Sequence, residues 1–426
     1  MKVLVIGSGG REHALAWALA RGGERLERLG GDPGRGPVEV VVAPGNDGMA
    51  SVARVVGGSS DVASLRRVAQ EEAPDLVVIG PEAPLVEGLA DDLRADGFLV
   101  FGPGRDGARL EGSKSHAKAF MRRHGIPTAA FRSFQDEEAA LAYVDEVGAP
   151  VVVKDSNLAA GKGVTVAEDL ETARAAVRAV FTQAGAELVI EERLVGQEMS
   201  LLVLTDGDAY QILPPAQDYK QAYDDDRGPM TGGMGVVAPV EIEDDLELAY
   251  LRRSVIERTL RGLKDEGVAF RGVLYFGLMR TSDGPKVLEY NVRFGDPETQ
   301  AVLPLLISDL ADLLAATANG TLHVVKPRWS SEHAACVVMA APGYPGTYLK
   351  GIELTLPEQL PRWATLFHAG TERVDGRFRS AGGRVLAVVA TGPTRAQAVA
   401  RAYQVVDEIG FPDAVVRRDI GARQLR

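Results

Sequence analysis

In this chain of 426 residues, the stretch whose residue types and spacing best suit chemistry is PKVLEYNVRFGDPETQ, Pro285 to Gln300. It follows a hairpin signal, Ser282-Asp283-Gly284, and its first half alternates as a strand should. Side chains on a strand point to opposite faces in turn, so Glu289, Asn291 and Arg293 are expected on one face, with Leu288, Tyr290, Val292 and Phe294 on the other. The polar row holds a carboxylate, an amide oxygen and a guanidinium, with Cα atoms spaced about 7 Å apart. Hard oxygen ligands suit Mg²⁺, which takes one or two from the protein and leaves the rest to phosphate and water. Arg293 could hold an anion beside the metal. After Gly295, a helix is expected with Asp296 as N-cap and Pro297 as its first residue, its free N–H groups turned to the same spot. An ordinary strand with a solvated polar face fits the same spacing, so other segments must decide.

The elements that would position this row begin with a doubly wound sheet. Lys2 to Ile6 reads as a buried strand and GSGGREHALAWALA as a glycine turn feeding a helix. The dinucleotide fingerprint needs a third glycine where Glu12 stands, and the second strand, Val38 to Ala43, ends in Pro44-Gly45-Asn46 without an acid for the ribose. Both points argue against NAD. What survives is a glycine-lined helix N-terminus suited to a phosphate or another polar group. A third strand, Leu76 to Ile79, runs into Gly80-Pro81-Glu82, and a fourth, Phe98 to Phe101, into Gly102-Pro103. These loops leave strand C-terminal ends, where open α/β sheets bind ligands.

Beyond a boundary near Gly104, Ala108 to His124 reads as one helix carrying Lys114. Pro150 to Lys154 is a strand ending in lysine, followed by DSNLAAGKGVTV. A strand rather than a helix follows Gly161-Lys162-Gly163, so this is not a Walker loop. It is either a flap over nucleotide phosphates or a surface hairpin. The strand Leu188 to Ile190 ends in Glu191, which could hold an adenine edge, with Glu198 reaching ribose hydroxyls; both could equally be solvated surface. Ala216 to Gly235 is too long and glycine-rich for a plain connection and suits an active-site loop. A helix from about Asp244 to Glu266 returns the chain to a strand, Gly272 to Met279, which pairs with the opening stretch. The helices Glu298 to Leu306 and Asp309 to Thr317 lead to a second boundary around Lys326-Pro327. The tail, with strands Ala334 to Ala340 and Arg384 to Ala390 and a helix Arg395 to Ile409, reads as a small mixed α/β domain. His368-Ala369-Gly370-Thr371 reads as a loop.

Composition narrows the class. A formal net charge of −12 and no long Lys/Arg run argue against nucleic-acid binding. Cys336 is the single cysteine, so no intramolecular disulfide or cysteine metal cluster forms. The opening KVLVIG is too short for a signal peptide or membrane span, and a cytoplasmic location is expected.

Taken together, GSGGREHALAW, APGN, GPEAPLV, LEGSK, LAAGKGV, GPMTGGMG, EYNVRFGDPETQ, FHAGT and GGRVLAV resemble, in this order and over nearly the whole chain, the phosphoribosylamine–glycine ligases (glycinamide ribonucleotide synthetases) of the ATP-grasp superfamily. The resemblance implies an α/β protein with a Rossmann-like N-terminal domain (1–104), an ATP-grasp domain (105–327) whose mobile lid covers about 128–193, and a C-terminal domain (328–426). It implies a two-step reaction in which glycine's carboxylate attacks the γ-phosphate of ATP and the amine of 5-phosphoribosylamine then displaces phosphate. Glu289 and Asn291 match ligands of Mg²⁺ or Mn²⁺. Lys114, Lys154 and the loop Ala159, Ala160, Gly161, Lys162 and Gly163 match the triphosphate-binding parts; Glu191, Leu194 and Glu198 match the adenosine-binding parts. Arg293, Asp218 and Lys220 match the catalytic set, with Gly295 and Asp296 beside them and Asp218 suited to glycine's ammonium. Gly9, Gly10, Glu12, Asn46 and Glu82 are candidates for the phosphoribosylamine side. The expected partners are small molecules, with neither nucleic acid nor membrane, and the expected state is a monomer. A carboxylating ATP-grasp ligase would share Lys154, Glu289 and Asn291 but not GPEAPLV and FGDPET. Three features depart from the family pattern. Lys154-Asp155-Ser156-Asn157 replaces Lys-Ala-Asp-Gly, with Asn157 where positive φ would suit glycine. Tyr219 replaces histidine, and Met230 replaces asparagine. Gly22 to Pro37 looks like a surface insertion.

Overall fold

The computed structural model describes residues 1–22, 37–158, 163–182 and 185–424. The insertion between Gly22 and Pro37, and Ala159, Ala160, Gly161 and Lys162 of the glycine loop, lie outside the described residues. Lys2–Gly7, Glu39–Pro44, Arg54–Val55, Leu76–Ile79 and Val100–Phe101 form a parallel sheet, with Lys2–Gly7 central between Glu39–Pro44 and Leu76–Ile79. The central runs read as unbroken apolar sequence because both faces are covered: Val3, Leu4, Val5 and Ile6 are all 0% exposed. Strand order reverses at Lys2–Gly7, and the Gly7–Gly10 and Gly80–Glu82 loops leave the carboxyl ends there, where such sheets open a crevice. Glu82 heads a short helix, Glu82–Glu87.

The expected single helix Ala108 to His124 is two, Arg105–Gly112 and Lys114–Arg123. Ser113 breaks it: its backbone is extended and its hydroxyl accepts the His116 N–H, a serine N-cap. Lys114 therefore stands at the first position of a new helix.

An antiparallel sheet follows, in the order Phe131–Phe134, Leu188–Glu192, Val151–Asp155, Val164–Ala167. With the helices Glu137–Val147 and Leu170–Val180 it closes around its own core, which includes Phe134, Val144, Val153, Val177 and Ile190. The turn after Lys154 does not place Asn157 at positive φ. Its closure comes instead from the Asp155 carboxylate accepting the Asn157 N–H at 2.9 Å, an Asx turn.

The stretch Pro285 to Gln300 supplies Gly284–Asn291, the edge of a sheet ordered Tyr210–Ile212, Gln197–Thr205, Gly272–Thr281, Gly284–Asn291. The register slips where Gly277 faces Glu289 while Leu278 faces Val287. Leu288 is thus the extra residue of a bulge, and simple alternation fails there: Leu288 is half-buried and lines the same cleft as Glu289. Asp296 is not a cap. The helix begins at Glu298 with Pro297 before it and no side-chain cap, because the Asp296 carboxylate is taken by Gln300 Nε2 at 2.7 Å and by Arg384 at 3.5 Å.

The expected loop Ala216 to Gly235 contains strands. Gln217–Asp218 and Gly235–Ala238 join His333–Ala340, Arg384–Gly392 and Ala364–His368 in one antiparallel sheet, so this sheet draws on sequence from both sides of Lys326-Pro327. The helix after it runs Asp245–Tyr250, Leu251–Ile256, Glu257–Asp265, the middle piece being π-helical. His368 ends one strand and Thr371 opens the next, leaving Ala369-Gly370 as the turn.

Candidate active site

The edge Gly284–Asn291 faces a cleft of about 840 Å³ whose walls come from all the units above. Of the residues expected to act, Glu82, Lys114, Lys154, Gly163, Glu191, Leu194, Glu198, Asp218, Lys220, Glu289, Asn291, Arg293 and Asp296 all line it. Gly9, Gly10, Glu12, Asn46 and Gly295 do not.

Glu289 is the electrostatic centre. Lys220 Nζ lies 3.2 Å from its carboxylate, and Lys220 first, then Lys154 and Lys114, hold its pKa down to about 2 against the effect of burial. Burial alone would lower Lys220, but Glu289 above all raises it. Asn291 Oδ1 accepts only a long contact, 3.4 Å, from Arg293.

Arg293 is shared between two carboxylates, Glu111 at 2.8 Å and Glu82 at 3.2 Å, and donates to the Phe294 carbonyl. Glu82 is held to about 2, Arg293 and Arg11 outweighing its burial. The enclosed Glu111, which also accepts the Val292 N–H at 2.8 Å, is pushed up to about 7 by burial.

Lys154 Nζ donates to the Leu288 carbonyl at 3.2 Å and pairs with Glu191 at 2.9 Å. Glu191 is 2% exposed, and its other oxygen meets Lys118 at 2.9 Å. Lys118 in turn donates to Thr128 Oγ1, which donates to the Val287 carbonyl. The Glu191 carboxylate is paired with both lysines, yet it lines the cleft and its Oε1 accepts no hydrogen bond among the described residues. Burial lowers Lys118 to about 8 despite Glu191. Lys114 Nζ donates to the Asn157 carbonyl at 3.0 Å.

Asp218 is 6% exposed, and its Oδ1 has no hydrogen-bond partner among the described residues. Burial, then Glu298, raises its pKa well above the usual carboxylate range. Such an oxygen suits a small cation with hydrogens to donate.

At the helix Gly10–Ala20, Glu12 folds back: its Oε2 accepts the N–H of the N-cap residue Gly9 at 2.7 Å and its Oε1 lies 2.5 Å from Arg11 Nε, so one carboxylate already sits at this N-terminus. A Cβ on Gly7 or Gly80 would strike Glu12, which explains both glycines. What this helix presents to the cleft is Arg11, which donates to the Phe294 carbonyl at 3.2 Å. Asn46 is occupied with the Ser8, His368 and Ala369 carbonyls, tying the second loop to the tail.

Sequence reasoning missed Arg11, Glu111, Lys118, Tyr275, Glu298 and Arg384, all on the cleft wall. Lys114 and Lys118 stand four apart on one helix, a spacing that places both on one face and was a readable signal. Glu298, hydrogen-bonded to Ser200 and Tyr275, and Arg384, which donates to the Gly232 and Asp296 carbonyls at 2.6 and 2.8 Å, lie inside the motifs EYNVRFGDPETQ and GGRVLAV, but their partners are distant in sequence and spacing gave them no role.

The phosphoribosylglycinamide synthetase models match in chain order: the N domain over residues 1–111, the ATP-grasp (A) domain over 112–299 and the C domain over 334–423. A phosphoribosylamine–glycine ligase of Brucella melitensis is 48% identical over 430 residues, covering 99% of this chain and 98% of that protein. The trifunctional purine biosynthetic protein adenosine-3 of Gallus gallus is 46% identical over 436 residues, covering 100% of this chain and 42% of that protein. A crystal structure of phosphoribosylamine–glycine ligase from Thermotoga maritima, 36% identical, matches with a TM-score of 0.83 over 99% of this chain and 100% of that one. The biotin carboxylase domain of the Hydrogenobacter thermophilus 2-oxoglutarate carboxylase has a TM-score of 0.68 at 17% identity, covering 97% of this chain and 91% of that one, a likeness of fold. This chain belongs to the phosphoribosylglycinamide synthetase, or phosphoribosylamine–glycine ligase, family and is an ATP-grasp ligase.

Proposed function

We propose that the cleft joins glycine to 5-phosphoribosylamine through glycyl phosphate, giving glycinamide ribonucleotide, ADP and phosphate. The observation that carries this reading is the gathering of Lys114, Lys154 and Lys220 around Glu289 in one cleft with the Asp218 oxygen that has no hydrogen-bond partner among the described residues. A carboxylate attacks a phosphoryl group slowly because the two anions repel, so catalysis needs fixed cations at the oxygens more than it needs covalent chemistry.

In this reading Lys114 and Lys154, with the loop Ala159 to Gly163, neutralise the triphosphate. Leu194, Met121, Val152 and Leu288 offer the base an apolar wall, and Glu198 takes ribose hydroxyls. Glu289 and Asn291 are two hard oxygen donors facing the cleft, a set that fits Mg²⁺ or Mn²⁺ completed by phosphate and water. A divalent ion held there neutralises phosphate oxygens. Asp218 takes the ammonium of glycine, and Arg293 and Lys220 face its carboxylate and the acyl phosphate. A glycine carboxylate oxygen bonds to the γ-phosphorus as the bond to ADP breaks. The amine of phosphoribosylamine, held on the side of Gly9, Gly10, Asn46, Glu82, Gly295 and Asp296, then bonds to the acyl carbon; phosphate leaves with that oxygen and a proton passes to solvent.

The reading has the enzyme working as a cytoplasmic monomer; no helix among the described residues is long and apolar enough to cross a membrane. ADP release with ATP, Mg²⁺ and freshly generated phosphoribosylamine should require glycine. ADP release that ignores glycine would sink the reading.

A further inference from the structure

Asp218, Tyr219 and Lys220 follow one another, and extended backbone sends alternate side chains to opposite sides. Asp218 and Lys220 line the cleft; Tyr219 points away, is 0% exposed and meets the end of the chain. Its ring centre lies 5.0 Å from the guanidinium carbon of Arg417 and 4.6 Å from that of Arg423, and its hydroxyl accepts the Gly421 N–H at 2.9 Å.

The same tail segment is stitched to the rest of the loop. Arg417, 0% exposed, donates to the Gln221 carbonyl and to Asp226 at 3.1 Å each and to Asp419 at 2.8 and 2.5 Å. Asp419 accepts the Asp225 N–H at 3.0 Å, Asp224 accepts the Arg418 N–H at 2.7 Å, and Arg423 pairs with Asp226. Asp225 and Asp226 sit at φ 57° and 53°, a conformation that non-glycine residues hold where their surroundings insist on it. Tyr403 fixes the tail from behind, donating to the Arg417 carbonyl and accepting the Ile420 N–H. Stability is a poor reason to bury a multiply paired arginine, because desolvation offsets the attraction; fixing one geometry is a better one.

We propose that Arg417 to Arg423 is a positioning element of the active site, which acts through Tyr219 and the Asp224–Asp226 turn to set how Asp218 and Lys220 meet the amino-acid substrate. The inference rests on the reading of Asp218 and Lys220 given above. Lys114 and Lys154 stand on other elements, and the clasp reaches the nucleotide side only through Lys220, which pairs with Glu289 at 3.2 Å and Glu198 at 3.9 Å, so ATP affinity should respond less than glycine affinity.

The test compares Arg423→Met and Tyr219→Phe, mild variants, with Arg417→Met, Tyr219→His and Asp218→Asn, in steady-state kinetics and thermal unfolding. A substrate-positioning group that has come loose should raise KM for glycine about tenfold in Arg423→Met and Tyr219→Phe, while KM for ATP stays within about twofold and the melting temperature barely moves. Tyr219→His, whose ring can still stack between the arginines and accept a hydrogen bond, should stay near the parent. An unchanged glycine KM in both mild variants overturns the proposal. So does a parallel rise in both KM values that tracks lost stability, Arg417→Met included. Asp218→Asn separates the two readings. If it leaves glycine KM unchanged, the assignment of Asp218 fails. If it raises glycine KM while the mild clasp variants do not, the positioning role alone fails.

Discussion

Glu191→Gln is the sharpest single perturbation of the nucleotide side. Glu191 is enclosed between two ammonium groups, each 2.9 Å away, and glutamine fills its space without its charge. Removing one partner from a buried ion pair costs about 3–5 kcal/mol. Lys118 has a partial escape: burial already lowers its pKa to about 8 with Glu191 present, so without Glu191 it sheds its proton near neutrality. The expected loss is then at the low end, about 3 kcal/mol, and a fall in melting temperature of roughly 5 °C or more. Because one negative and one positive charge disappear together, the field at the phosphates hardly changes, and positioning decides ATP affinity. Lys154 keeps the Leu288 carbonyl, at 3.2 Å, and an amide oxygen in place of a carboxylate; loss of its charged partner should raise KM for ATP about tenfold, equivalent to about 1.4 kcal/mol. Thermal unfolding with and without ATP, beside steady-state kinetics, reads both effects. The double variant Lys118→Met/Glu191→Gln should regain much of the stability but not the ATP affinity. A Glu191→Gln protein that melts with the parent and binds ATP equally well would refute the reasoning.

Glu289→Gln should lower kcat about 100-fold or more, about 2.7 kcal/mol of barrier, with a lower melting temperature because Lys220 loses its partner at 3.2 Å but with the fold kept; near-normal turnover would remove Glu289 from the metal site. Lys220 is the largest influence holding Glu289 at about 2, so Lys220→Met raises that pKa. Mn²⁺ affinity measured with ADP should fall from pH 7 to 5 in the parent only as the terminal phosphate of ADP takes up its proton, with a pKa of about 6, and fall more steeply in the variant; identical profiles would contradict the assignment. His13 is enclosed, its Nδ1 accepting the His368 N–H at 2.9 Å, and burial lowers its pKa from 6.5 to about 3. The unfolded chain binds a proton that the folded state refuses, so this contribution is whole above pH 6.5 and is lost as pH falls from 6.5 towards 3, by about 2 kcal/mol at pH 5. His13→Gln keeps an acceptor but does not titrate, so its melting temperature should gain on the parent's between pH 7 and 5; a constant difference would contradict the account.

How much of this was legible in the sequence depends on how local each cause is. Strands buried on both faces, such as Lys2–Gly7, write their pattern in consecutive apolar residues, and the row Glu289, Asn291, Arg293 faces the cleft as spacing implied. Alternation failed at Leu288, where the bulge opposite Gly277 is a property of two strands together. The Asp296 cap failed for a similar reason: Gln300 and Arg384 compete for its carboxylate, and Arg384 comes from a strand 88 residues away. Motif order carried the family, but it did not disclose that the Glu191 carboxylate faces two lysines or that Glu12 folds back onto the Gly9 N–H and Arg11. Both facts depend on which distant residues desolvate a carboxylate, and only the folded chain decides that.

The central claim, that glycine's own carboxylate is phosphorylated before the amine arrives, is tested most directly by turnover with glycine labelled with ¹⁸O in its carboxylate. The account predicts one labelled oxygen in each inorganic phosphate released. Phosphate free of label, with one labelled oxygen kept in the amide and the other lost to water, would contradict it.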